Sequence, residues 1–311
     1  MRVVFLGSGA FAVPSLEALL DAGHEVAAVV TQPDREKGRG RSLSATPAKV
    51  VAERHGVPVL QPRRIKEPAA IEELRALRPD VQVVVAYGQI LPRAVIDIPP
   101  LRTVNVHSSL LPRYRGAAPI QWAVVNGERE TGVTTMLIDE GLDTGPTLLA
   151  RSTPIGPEET APELEARLGP LGAEVLLETL DGLGRGTLRA QPQDHAQATL
   201  APILKKEDGR LDWSRPAEEI ARRVRGLLPW PGTVTRTAEG DLKVLRAQVE
   251  AAARTGAAPG TVLAVDRKGI LVAAGGGSCL RLLDVQPESR RPMPAAAFAA
   301  GARLQPGARL V

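Results

Sequence analysis

One cysteine, Cys279, stands in a chain of 311 residues. No internal disulfide can form, which suits a reducing, cytoplasmic setting. The thiol lies in the apolar stretch SCLRLLDV and reads as a core side chain rather than a nucleophile. Aromatic residues make up only 3% of the chain, so its cores must be aliphatic. No apolar run approaches the length of a transmembrane helix, and no membrane role is expected. The first apolar run breaks at Gly7, with Glu17 soon after. It reads as a buried strand, not a signal peptide. Four scattered histidines and one cysteine give no zinc spacing, so no metal is expected. There is no G-x-S-x-G elbow and no Walker A loop. Net charge is only +4, which permits an anionic partner without demanding one.

What is present is ordinary globular material: 43% apolar and 24% charged residues, long enough for two domains. Short apolar runs at 2–6, 24–30, 80–87 and 101–107 read as strands. Helical segments at 14–22, 47–56 and 68–78 separate them. The alternation predicts an α/β domain with a mostly parallel sheet over residues 1–187. A polar, glycine-containing loop interrupts it at 32–49. Two further strands joined by EGLDTG and a helix over 158–181 complete the domain. Residues 188–204 carry few periodic apolar positions and read as a linker. Residues 205–311 predict one helix and about five short strands, a small OB-like β-barrel.

The first strand runs into Gly7-Ser8-Gly9-Ala10-Phe11-Ala12, the outline of a dinucleotide fingerprint. Such a site wants an acidic residue at the end of the second strand, to hold a ribose. That strand ends Val29-Val30-Thr31-Gln32-Pro33, without one. A nicotinamide-dependent dehydrogenase stays a remote alternative. A tight turn bordering another ligand fits the residues better.

Asn105 and His107 stand two apart at the end of a strand, so their side chains share a face. The carboxyl ends of strands are where α/β folds place ligands. An amide donor beside an imidazole suits oxyanion stabilisation and the movement of one proton. Asp143, in the glycine-bracketed loop IDEGLDTG, could orient His107 if that loop folds over the strand end.

The Asn-x-His strand end, SLLPRYRGAAPIQ and GLDTG together resemble the signatures of the folate-dependent formyltransferases. QPDREKGRGRSL, VVVAYGQILP, DGRLDWSRPAEEIARRVRGLLPWPG and the terminal PGARLV resemble the tRNA-acting branch of that family, in order and over the whole chain. The resemblance implies a Rossmann-like first domain and transfer of formyl from 10-formyltetrahydrofolate to the α-amino group of methionyl initiator tRNA. Asn105 and His107 would hold the oxyanion, and Asp143 with His107 would assist proton transfer. Ser109, Leu110, Leu111 and Pro112 match the folate-contacting stretch, and Tyr87, Gln89, Ile90 and Leu91 would line the same pocket. Ser108, Ser8 and Gly9 depart from the usual residues without removing a chemical group.

The same resemblance makes residues 34–49 a tRNA-contacting loop. It holds five basic side chains against two acidic ones, among them Arg35, Lys37, Arg39 and Arg41. Lys205 and Lys206 would extend the surface, with Arg222, Arg223 and Arg225 on a helix as further candidates. Phe11 would border the methionyl or terminal adenosine group, and the protein would act as a monomer. The alternative within the chemistry is an amino-sugar nucleotide acceptor, which the basic loop does not suit.

Overall fold

The computed structural model describes residues 1–37, 42–251 and 253–311. The chain forms two compact units. The first comprises Met1–Pro119, Glu130–Pro154 and Glu165–Ala201; the second comprises Ile120–Arg129, Ile155–Leu164 and Pro202–Val311.

In chain order, the first elements are β1 (Arg2–Gly7), α1 (Val13–Asp21), β2 (Glu25–Val30), β3 (Arg35–Lys37), β4 (Ser42–Ser44) and α2 (Pro47–Arg54). Then come β5 (Val59–Leu60), α3 (Pro68–Ala76), β6 (Val81–Val85), α4 (Arg93–Ile96), β7 (Thr103–His107) and β8 (Arg115–Gly116). They are followed by α5 (Pro119–Asn126), β9 (Glu130–Leu137), β10 (Thr147–Pro154), α6 (Ala161–Gly184) and β11 (Leu200–Ala201).

Seven strands of the first unit form one sheet in the order β10-β9-β7-β6-β1-β2-β5. The pairs from β7 through β6, β1 and β2 to β5 are parallel. β9 and β10 close one side in antiparallel register. Val3, Val4, Phe5 and Leu6 on β1, the middle one of the five parallel strands, are all wholly buried. A parallel strand covered on both faces must be apolar along its whole length, which is why RVVFL carries no alternation.

Gly7, the last residue of β1, has no room for a side chain. A Cβ would lie 2.5 Å from the Phe5 ring and 3.0 Å from Ala12. One 3-10 turn, Ala10–Ala12, then leads into α1 with Pro14 in its first turn. Thr46 caps α2, its hydroxyl accepting from Lys49 N–H at 3.2 Å. α6 buries Leu168, Leu176 and Leu180 completely. Gly172 lets it come close to β7, since a Cβ there would stand 3.1 Å from Val106.

The loop expected over 32–49 contains a short antiparallel hairpin, β3 with β4. The segment read as a linker differs more. Its β11 pairs in parallel with β8, and Gln191 bridges Thr147 of β10. Backbone pairing of two-residue strands needs no apolar period, so the sequence pattern did not reveal it.

The second unit adds α7 (Ala217–Gly226), β12 (Thr233–Thr237), β13 (Gly240–Val249), β14 (Val262–Asp266), β15 (Gly269–Ala273), β16 (Cys279–Pro287), β17 (Met293–Pro294) and α8 (Ala295–Gly301). These strands form an antiparallel sheet in the order β12-β13-β16-β15-β14, with β17 on β16. The buried face of α7, Ile220, Ala221 and Val224, joins Leu242, Leu280 and Leu282 in its core. Cys279, the first residue of β16, is buried as well. β17 and α8 were not foreseen: β17 has only two residues, and AAAFAAG is apolar at nearly every position and so shows no period. No helix among the described residues is long and apolar enough to cross a membrane.

Candidate active site

β7 and the β9–β10 connection build the site. Thr103, Asn105 and His107 alternate on one face of β7. His107 pairs in register with Thr134 of β9, and Asn105 with Met136. β9 returns antiparallel with Leu137 opposite Val104 and Ile138 N–H on Thr103 O at 2.9 Å, so the loop 138–146 starts beside the beginning of β7 and must fold back for Asp143 to reach His107.

That loop is shaped from within. Asp139 Oδ1 accepts from Gly141 N–H at 3.0 Å and from the Thr144 hydroxyl at 2.7 Å. Gly145 admits no side chain, since a Cβ would stand 1.9 Å from Leu137 O. Asp143 takes the left-handed conformation, φ 51°, which is uncommon for a residue with a Cβ. Its Oδ2 accepts from Gly116 N–H at 2.8 Å and lies 3.7 Å from His107 Nδ1.

The structure thus brings Asp143 to His107. The His107 ring is buried, and its Nε2 lies 2.9 Å from the Tyr114 carbonyl. A carbonyl only accepts, so Nε2 carries hydrogen and Nδ1 faces the carboxylate. The distance of 3.7 Å is too long for a hydrogen bond but close enough for attraction once the ring is protonated. The Asn105 carboxamide makes no hydrogen bond to protein among the described residues, which leaves its donors for a ligand.

The apolar loop after β7 is fixed by Thr134. Its hydroxyl donates to Ser109 O at 2.7 Å and accepts from Leu111 N–H at 3.1 Å. The Ser109 hydroxyl donates to Arg113 O at 2.6 Å, so it serves the loop itself. Leu110, Leu111 and Pro112 are half-buried. On the neighbouring strand end, Tyr87 and Leu91 are buried core residues, whereas Ile90 is 90% exposed. Burial pushes the Tyr87 phenol up to about 12. The Gln89 amide is engaged in holding residues 62–65, accepting from Ile65 N–H at 2.8 Å. Of Tyr87, Gln89, Ile90 and Leu91, Ile90 has the exposed side chain.

A cavity of about 480 Å³ opens at the ends of β1, β2 and β6, lined by Ser8, Gly9, Gln32, Thr46, Ala86 and Gly88. No acid faces it from the end of β2; Thr31 there bonds Ser8 and Thr46. Phe11 sits beside it in sequence but is 7% exposed and packs inward toward α6. Its ring therefore presents little surface to an acceptor, contrary to the expectation that it borders one.

In the basic loop, Lys49 is bound to Asp34 at 2.7 Å, and Gln61 also donates to Asp34 at 2.7 Å. The Lys49 ammonium, helped by Gln61, holds the Asp34 carboxyl below its usual range. This pair cancels, so the excess of positive charge rests on Arg35, Lys37, Arg39 and Arg41 against Glu36. Arg35 is exposed; Arg39 and Arg41 lie outside the described residues. In the second unit Lys205 and Lys206 are exposed. The helix arginines are not a free patch. Arg222 donates to Val125 O, Arg223 to Asp208 O, and Arg225 is 16% exposed with Glu158 at 3.9 Å.

Residues 1–180 match the formyl transferase family, and residues 203–303 match the formyl transferase C-terminal domain. The chain belongs to the formyl transferases. The methionyl-tRNA formyltransferase of Citrifermentans bemidjiense is 54% identical over all of this chain and 96% of its own. That of Solibacter usitatus is 55% identical, over all of this chain and 98% of its own. Two solved structures share the fold at low identity. HypX from Aquifex aeolicus, in complex with tetrahydrofolic acid, has a TM-score of 0.66 and 19% identity; the match covers 96% of this chain and 47% of HypX. WlaRD, a sugar 3N-formyl transferase solved with dTDP and 5-N-formyl-THF, has a TM-score of 0.68 and 16% identity, covering 91% of this chain and 97% of its own.

Sequence reasoning missed Tyr114, Gly116, Thr134, Arg115 and Gln193. Arg115 could have been suspected, since it stands inside SLLPRYRGAAPIQ. Gln193 carried no signal, in a segment without period or motif.

Proposed function

We propose that this protein transfers the formyl group of 10-formyltetrahydrofolate to the free α-amino group of methionyl initiator tRNA. The full-length identity to methionyl-tRNA formyltransferases supports that acceptor. The meeting of His107 and Asp143 beside the free amide of Asn105 carries the chemistry. The donor is a substrate, and the exposed Ile90 with the backbone of 87–91 and 109–112 would hold it.

The amine attacks the formyl carbon, and negative charge develops on the formyl oxygen. Asn105 donates to that oxygen, a preorganised interaction of the oxyanion-hole type. His107 takes up or returns a proton at Nδ1, the nitrogen left free by Tyr114. Asp143 stabilises the ring in its charged state. The proton leaves the attacking nitrogen and ends on the departing folate nitrogen. The acceptor's aminoacyl end enters by the cavity at Ser8 and Gly9, and the basic loop meets backbone phosphates. The working form is a monomer in the cytosol.

The test is incubation with 10-formyltetrahydrofolate and a panel of aminoacyl-tRNAs. Formylation of methionyl initiator tRNA, and not of other charged tRNAs, is the expected result. Transfer to an amino-sugar nucleotide with none to tRNA would overturn the reading.

A further inference from the structure

Arg115 and Gln193 form a buried polar pair beside the catalytic loop, within the first unit. Arg115 is 6% exposed and Gln193 8%. The guanidinium donates to Gln193 Oε1 from Nε at 3.1 Å and from Nη2 at 2.6 Å. A guanidinium can only donate, so the amide oxygen must face it. The orientation of the Gln193 amide is thereby fixed. Its nitrogen is turned to the β9–β10 loop, donating to Asp143 O at 2.9 Å and Gly145 O at 2.7 Å.

Asp143 is held from its other side as well. The residue after Arg115, Gly116, donates its N–H to Asp143 Oδ2 at 2.8 Å. The segment carrying Gln193 is tied at both ends. Gln191 exchanges backbone bonds with Thr147, and Thr199 O accepts from Arg115 N–H at 2.9 Å. On the outer side, both Arg115 Nη atoms lie 3.2 Å from His195 Nδ1, which accepts from them.

We infer that Gln193, oriented by Arg115, is a positioning residue that keeps Asp143 in its left-handed conformation against His107. The stretch between the two family-matched regions is a brace for the catalytic loop and not a spacer. Loops in strained conformations persist where surrounding structure over-determines them, and this pair supplies that constraint. The inference rests on the proposed reaction, because it assigns Asp143 a catalytic task.

The test is a double-mutant cycle read in steady-state formylation of methionyl-tRNA. Wild type, Gln193→Ala, Gln193→Glu, Asp143→Ala and the double variant Asp143→Ala/Gln193→Ala are compared. Gln193→Glu keeps the acceptor for Arg115 but removes both donors to the loop. Each Gln193 variant is expected to lower kcat about tenfold or more, with both KM values within about threefold. In the Asp143→Ala background, Gln193→Ala should cost less than about twofold, because the group it positions is gone. Undiminished kcat in Gln193→Ala, or a full loss repeated without Asp143, would overturn the inference. So would failure of both Gln193 variants to fold, since the pair would then serve the fold alone. The wild-type rate separates the two ideas. A wild type inactive on methionyl-tRNA sinks the functional reading, and the cycle is then read with an amino-sugar nucleotide as acceptor.

Discussion

His107 Nδ1 lies 3.7 Å from Asp143 Oδ2 while Nε2 of the same ring donates to Tyr114 O at 2.9 Å. The two contacts divide the imidazole into a fixed side and a working side. One anchors the ring on the loop that follows β7; the other faces the carboxylate.

Removing either partner should therefore strike the chemical step. His107→Ala and Asp143→Ala are expected to lower kcat by about 10²–10⁴, the usual contribution of a positioned general acid or base. Circular dichroism and thermal midpoint should stay close to wild type. Near-normal turnover in either variant would remove that residue from the mechanism.

Gly116 offers a structural test of the same site. Its φ is +121°, and a Cβ would stand 2.6 Å from Ala201 O. Gly116→Ala should destabilise the protein by roughly 1–3 kcal/mol, through overpacking and backbone strain. Its N–H also holds Asp143, so kcat should fall alongside stability. Urea unfolding and turnover, measured together, check both; a variant of normal stability would show that the backbone can yield there.

The basic loop predicts a split between the two substrates. Arg39→Glu with Arg41→Glu should raise KM for the charged tRNA and leave folate binding unchanged. Each phosphate contact adds about 0.7–0.9 to the slope of log affinity against log salt. A double variant that loses two such contacts should show a slope shallower by about 1.5. Unchanged tRNA kinetics at moderate salt would count against this surface.

Glu165 predicts a dependence of stability on pH. Burial raises its carboxyl above the usual range, opposed by a hydrogen bond from Phe11 N–H. A carboxyl with a raised folded value binds its proton more tightly when folded. Its favourable contribution is complete below the unfolded value and is lost as pH rises through the folded one. Glu165→Gln keeps an acceptor for Phe11 and never ionises. Its thermal midpoint should match wild type in acid and exceed it near neutrality. An equal difference at all pH values would show that charge is not the cause.

Much of the α/β framework was legible because its marks are local. RVVFL announces a covered parallel strand, and Thr46-Pro47 announces a helix start, with Thr46 capping as its type requires. The two-residue spacing of Asn105 and His107 placed them on one face before any contact was known. Phe11 shows the limit. Its neighbours in sequence suggested a ligand border, yet the close approach of α6 at Gly172 turned its ring into the core. The helix arginines were legible as charges, but their carbonyl and carboxylate partners come from distant segments.

The sequence by itself determined the residue types that the chemistry needs and the strand period that groups two of them. Those follow from local backbone geometry, which is written residue by residue. Tertiary structure alone decided that Asp143 meets His107 and that Gln193 holds Asp143 in place. Asp143 stands 36 residues after His107, and Gln193 is 50 residues beyond Asp143. Contacts across such separations depend on the antiparallel return of β9 and the pairing of β11 with β8. Both are backbone hydrogen bonds, which every residue but proline can donate, and so they leave no mark in the choice of side chains.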